Sequence, residues 1–235
     1  MNQPQAKRRI ILVDNPEGKQ ATIRMAIRAY DIRTDDKFAG SVAGTILSSG
    51  IDSRLNKYVR AEKGLTYGSS AYFRPSRHAG AFEGSVDTDP QTTAAAIEAM
   101  LKVYNDMRMT NVTAQELSEA QSRVSGSAVM DLQTIGQQAS RRMEQILNDY
   151  PIDYYDNYPK RIAQVTVDQI RTVMNKYVSD DRMLFIVIAP ASVAKEQLDK
   201  LGTVEVLPMP LRRDQPATRS AAASNLNGVA NLVQP

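Results

Sequence analysis

The chain has no cysteine, and only one histidine, His78, in 235 residues. Without cysteine there is no disulfide, no thiolate metal site and no thiol nucleophile. The redox character of the compartment is left open. One histidine with no second histidine and no acidic ligand beside it does not build a zinc site. A serine triad would have to use His78 as its base, and no G-x-S-x-G elbow is present. The glycine spacings of dinucleotide and phosphate loops are also missing. No apolar run approaches the length of a membrane span. The longest candidate, Met183 to Ala189, suits a buried strand. No secretory signal is expected, because Met1 to Arg9 is polar and basic and Ile10 to Val13 is too short for a signal core. There is no block of like charge. The net charge is +3 and the pI of 9.0 reflects basic residues spread along the chain, so nucleic acid is not an expected partner.

What is present is an ordinary globular composition, 42% hydrophobic, in a chain long enough to bury a sizeable core. Arg9 to Asp14 reads as a strand, Asn15-Pro16-Glu17-Gly18 as a turn, and Ala21 to Ala29 as a half-buried strand. In the second strand Ile23, Met25 and Ile27 alternate with Thr22, Arg24 and Arg28. The two strands are expected to pair as a hairpin or to lie near each other in one sheet. Thr34 is placed to cap a helix whose core face carries Phe38, Val42 and Ile46. After Ser48-Ser49-Gly50 a second helix runs to about Lys63, and Gly64 sits where a left-handed residue ends a helix. Thr66 to Phe73 and Ala81 to Asp87 read as strands joined by a polar loop.

Asp89-Pro90 opens the next helix, with Ala94, Ile97, Leu101 and Tyr104 as its apolar stripe. Thr113 to Glu116 and Thr166 to Gln169 are capping boxes. Helical pattern runs to about Leu147 with an interruption near Thr134 to Gly136. Met183 to Ala189 suits a central strand, Val193 to Leu201 a short helix capped by Ser192, and Val204 to Leu207 an edge strand. Strands cluster and helices cluster, which predicts α+β: an antiparallel-rich sheet packed against a group of helices. The organisation is a lead-in over residues 1–8, one domain over 9–207, and a tail or linker over 208–235 whose composition lacks periodicity.

Several features have ordinary explanations. His78 lies in the polar loop Arg74-Pro75-Ser76-Arg77-His78 and reads as an exposed loop residue. The acidic pairs Asp35-Asp36, Asp87-x-Asp89 and Asp180-Asp181 sit at helix starts or strand ends, where capping accounts for them. The tyrosines Tyr150, Tyr154, Tyr155 and Tyr158 read as helix packing with polar tips exposed.

One stretch asks for more. Ser53-Arg54-Leu55, then Arg60, then Gly64-Leu65 and Tyr67 carry an arginine and a tyrosine across a helix end and a glycine stop. The stretch closely resembles the arginine–tyrosine segment in the C-terminal half of the insulinase/pitrilysin family of zinc peptidases. The resemblance continues in Asp14-x-Pro16, Gln20 to Arg24, Gly80-x-Phe82, Thr113-x-x-Glu116-Leu117, Pro151-x-Asp153-Tyr154 and Val165-Thr166, and covers about Arg9 to Val206. The family's zinc motif, His-x-x-Glu-His, has no counterpart here.

The resemblance implies half of an enzyme. Arg60 and Tyr67 would bind substrate and stabilise the transition state, and zinc would be held by a His-x-x-Glu-His half on the same polypeptide or a separate subunit. The substrate would be an unfolded peptide. Alone, the chain is expected to be inactive, and the isolated half to self-associate through the surface meant for its partner. Two other readings stand beside this one: a non-catalytic scaffold of the same fold, and a stand-alone module binding peptides or anions. Bacterial relatives of this type lead us to expect the periplasm.

Overall fold

A computed structural model gives the fold over residues 7–110 and 112–209. The expected tail beyond Met209 and most of the lead-in lie outside the described residues. The strands are β1 (Arg9–Asp14), β2 (Ala21–Arg28), β3 (Ser69–Arg74), β4 (Ala81–Thr88), β5 (Leu184–Ala189) and β6 (Val204–Pro208). They form one mixed sheet in the order β3-β4-β2-β5-β1-β6. The pairs β3–β4, β4–β2 and β2–β5 are antiparallel; β5–β1 and β1–β6 are parallel. The α+β class holds, but β1 and β2 do not form a hairpin. β5 lies between them, with Phe185 opposite both Ile10 and Met25. Hydrogen-bonded to a strand on each side, β5 is central, and β6 is an edge strand as the sequence suggested.

Alternation in β2 puts Ala21, Ile23 and Met25 into the core while Arg24 stays in solvent. On the neighbouring β5, Phe185 and Val187 point the same way and Ile186 faces outward. The sheet is therefore buried on one face and open on the other.

The helices are α1 (Asp36–Ser48), α2 (Thr93–Met109), α3 (Ala114–Met130), α4 (Ile135–Leu147), α5 (Tyr154–Ala163), α6 (Val167–Tyr177) and α7 (Ala191–Asp199). Val42 and Leu47 of α1, Ile97, Met100 and Tyr104 of α2, and Ile170 and Met174 of α6 join the inward strand residues in one core. Each large side chain fully buried there contributes about 1.5–3 kcal/mol. Gly44 lets α1 approach β3 closely, since a Cβ there would lie 3.3 Å from the Tyr72 backbone.

The caps follow local sequence. Thr113–Glu116 and Thr166–Gln169 close as capping boxes, and so does Thr134–Gln137, at the interruption noted above. Asp89 accepts the Gln91 N–H ahead of α2. Ser192 does not cap α7: the helix begins at Ala191, whose N–H donates to the Asp14 carboxylate at the end of β1 (2.8 Å). A carboxylate at a helix start is favoured by the helix dipole, and it leaves Ser192 inside the first turn.

Candidate functional site

Arg60 does not sit on a regular α-helix. Asn56–Glu62 is π-helical, with the Lys63 N–H bonded to the Tyr58 carbonyl five residues back (2.9 Å). Such wide turns are rare and cluster at functional sites. Here Leu55 and Val59 fill the core while Arg60 faces solvent. Gly64, at φ +64°, then reverses the chain, and the Leu65 N–H returns to the Val59 carbonyl (3.1 Å). Glycine adopts that backbone conformation without a Cβ penalty.

The entrance to the segment is anchored as well. Arg54 grips the Glu116 carboxylate at the start of α3 through Nε to Oε1 (2.7 Å) and Nη2 to Oε2 (2.9 Å). The guanidinium holds the Glu116 carboxyl down at about 2. Ser53 and Leu55 on either side are buried.

Tyr67 is not in a strand, contrary to the expectation. β3 begins at Ser69, and Thr66 to Gly68 form a loop. The Thr66 hydroxyl is the reason: it accepts the Gly68 N–H (3.1 Å) and lies 2.6 Å from the Asp87 carbonyl, occupying the positions a ladder would use. The Thr88 hydroxyl donates to the Leu65 carbonyl (2.6 Å). The loop is thus tied to the end of β4 just before Tyr67 and enters the β3–β4 ladder at Ser69 just after it, while the Tyr67 side chain is 91% exposed.

Charges around the segment differ in their commitments. Lys57 pairs with Asp52, Lys63 with Glu62 and Lys102 with Asp106. The Arg60 side chain has no hydrogen bond or ion pair with any other described residue. The motif therefore divides into buried or bonded anchors, Ser53, Arg54, Leu55 and Leu65, and two unengaged ends, Arg60 and Tyr67. Sequence reasoning did not find the Arg54–Glu116 pair, because its members are 62 positions apart and no local pattern links them.

The remaining candidates take structural roles, but the acidic pairs are not all caps: Asp89 makes the expected cap bond, whereas Asp35 makes none. His78 is exposed. Asp35 pairs with Arg161, Asp36 with Lys176, Asp87 with Arg24 and Asp180 with Arg8. Among the described residues no group of three or more His, Cys, Asp or Glu side chains could hold a metal ion. The residues present do not fit zinc.

A family model described as the peptidase M16 inactive domain matches residues 2–124, just over half the chain. The chain belongs to this family. It is the C-terminal, insulinase-type domain that the Arg60–Tyr67 segment resembles. An uncharacterised zinc protease of Mycobacterium tuberculosis is 25% identical over 171 residues, covering 73% of this chain and 39% of that protein. This M16 domain thus spans about two fifths of the length of the curated relatives it matches. Among solved structures, the peptidase M16 inactive domain from Pseudomonas fluorescens superposes with a TM-score of 0.71 at 23% identity, over 77% of this chain and 44% of that one. The periplasmic protease PqqL of Escherichia coli superposes with a TM-score of 0.63 at 18% identity, over 78% of this chain and 21% of that one. These two likenesses concern the fold.

Proposed function

We propose that this M16 domain supplies Arg60 and Tyr67 to a zinc peptidase whose metal is held by a separate His-x-x-Glu-His half, on the same polypeptide or another subunit. One observation carries the reading. Arg60 and Tyr67 flank a glycine corner fixed on all sides by buried or hydrogen-bonded residues, yet both project into solvent without a partner among the described residues.

The chemistry suits the pair. A tyrosine hydroxyl donates a hydrogen bond to a peptide carbonyl oxygen and donates more strongly as that oxygen gains negative charge. A guanidinium offers a planar fork to a peptide carbonyl or a terminal carboxylate. Residues on one half acting on substrate bound to the other make the site complete only on closure, which gates water and excludes folded proteins. The substrate is an unfolded peptide laid as an added strand along a sheet edge of the zinc-bearing half. We place the assembled enzyme in the bacterial periplasm, and recovery of the chain only from the cytoplasmic fraction would contradict that.

The decisive assay uses an unstructured fluorogenic peptide with zinc. The chain is tested alone and then with the His-x-x-Glu-His half from its own gene or a neighbouring one. Cleavage only in the mixture, abolished by Arg60→Ala, is expected. Inactivity of a formed, zinc-loaded complex would shift the reading to a scaffold of the same fold.

A further inference from the structure

Away from Arg60 and Tyr67, a cavity of about 620 Å³ lies between α1, β3, α3, α4 and the Tyr150–Tyr158 region, and neither residue of the pair lines it. Its volume falls within the range of small-molecule sites, about 300–1,000 Å³. Six tyrosines, Tyr30, Tyr72, Tyr150, Tyr154, Tyr155 and Tyr158, form much of the wall. Tyr150 and Tyr154 stack at 4.0 Å, and Tyr155 meets Tyr154 edge-on at 5.1 Å. The Tyr155 hydroxyl is shielded from solvent, contrary to the exposed tip expected from the sequence, and its neighbours Arg141 and Glu144 do not meet it in good hydrogen-bond geometry. Buried polar groups are seldom left so.

The charged groups on this wall are nearly all spoken for. Arg141 donates to both Asp131 and Glu144. Lys37 donates to the Ile32 carbonyl (2.8 Å), and its Nζ lies over the Tyr150 and Tyr154 rings, 4.5 and 4.8 Å from their centroids. Arg123 is different. Its guanidinium has no hydrogen bond or ion pair with another described residue. It rests over Gly50, close enough that a Cβ there would sit 3.0 Å from Nη1. The acids of the adjoining depression do not claim it: Arg54 engages Glu116, Gln115 donates to Glu119 (2.8 Å), and Asp52 pairs with Lys57.

We propose that this cavity binds a carboxylate with an aromatic or aliphatic body, the carboxylate on Arg123 and the body against the tyrosines. Cation and ring wall together select for both parts of such a ligand. An anion without an apolar body forgoes the rings, and an uncharged apolar molecule leaves the guanidinium unmatched.

The chain reports on its own occupancy. It has no tryptophan and ten tyrosines, so its fluorescence is tyrosine fluorescence, and six of the ten line the cavity. Titration of the full chain with N-acetyl-L-phenylalanine should give a saturable change. N-acetyl-L-phenylalaninamide, which lacks the charge, should bind at least about tenfold more weakly, roughly 1.4 kcal/mol. Arg123→Ala should bring the acid to the level of the amide, while Arg60→Ala should leave binding unchanged. Arg123→Gln serves as a second variant if circular dichroism shows the alanine form to be misfolded. No saturable response to the acid, equal binding of acid and amide, or loss of binding in Arg60→Ala would each overturn the assignment.

Discussion

The Glu116 carboxylate does two jobs. It accepts both arms of the Arg54 guanidinium, and its Oε2 also accepts the Thr113 N–H (2.8 Å) to close the capping box of α3. One carboxylate thereby fastens the start of the π-helical segment that bears Arg60 to the first turn of a helix 62 residues away.

This bond should show in acid. The Glu116 carboxyl is held from its ordinary 4.5 down to about 2, chiefly by Arg54. A depressed carboxyl contributes stability that is present above pH 4.5 and is lost as pH falls toward 2. Both side chains are partly open to solvent, so the contribution is about 1–2 kcal/mol. Arg54→Ala should lose that amount in urea unfolding at pH 7, and the gap to wild type should shrink between pH 4.5 and pH 2. A gap independent of pH would mean that Arg54 acts through packing alone.

The glycine corner makes a paired test. Gly64 has φ +64° and open space where a Cβ would go. Gly64→Ala therefore meets backbone strain and no clash, costing about 1–2 kcal/mol. Gly68 has equal space without the left-handed backbone, so Gly68→Ala should stay within about 0.5 kcal/mol of wild type. Denaturant midpoints measure both, and a neutral Gly64→Ala would show that the corner is not held as described.

On the proposed reading, in complex with the zinc-bearing half, Tyr67→Phe removes one hydroxyl from a side chain with no other engagement. The turnover rate should fall about a hundredfold, the lower end of what loss of one oxyanion donor costs. KM should change little and zinc content not at all. A raised KM at unchanged kcat would reassign Tyr67 to ground-state binding.

A fourth expectation concerns α4. Ile135, Met143, Ile146 and Leu147 make an apolar stripe facing solvent, Ile135 being 86% and Met143 60% exposed. Val129 and Met130 at the end of α3 are exposed nearby in sequence. A contiguous exposed apolar stripe of this kind marks an interaction face. The isolated chain should self-associate in light scattering at micromolar concentration, and Met143→Glu with Ile146→Glu should return it to monomer. A wild-type chain that is monomeric throughout would refute this.

Local signals carried much of the fold into the sequence. The boxes at Thr113 and Thr166 are four-residue patterns, and the alternation of β2 is read within eight positions. What stayed hidden is non-local or alters geometry without altering composition. Leu55 and Val59 are four apart whether the turn is α or π. Thr66-Tyr67 has strand propensity, and only the Asp87 carbonyl waiting across the corner turns it into a loop. The place of β5 between β1 and β2 depends on pairings that span more than 150 residues, which no window of sequence contains. At the site, Arg60 and Tyr67 were legible as a motif, whereas the ties that hold them apart from everything else were not.

The position of β5 also sets a schedule. Its six residues bridge the two earliest strands, so the N-terminal strands of a nascent chain wait for Leu184–Ala189 before the sheet can join. Until then β1 has neither lateral neighbour, since β6 is later still. A fragment ending at residue 124, where the family match stops, would hold β2, β3 and β4 with β1 stranded. Emergence of β5, rather than of the N-terminal segments, is the step at which the sheet can join. Unpaired edges before that point are its window of exposure to aggregation and proteolysis.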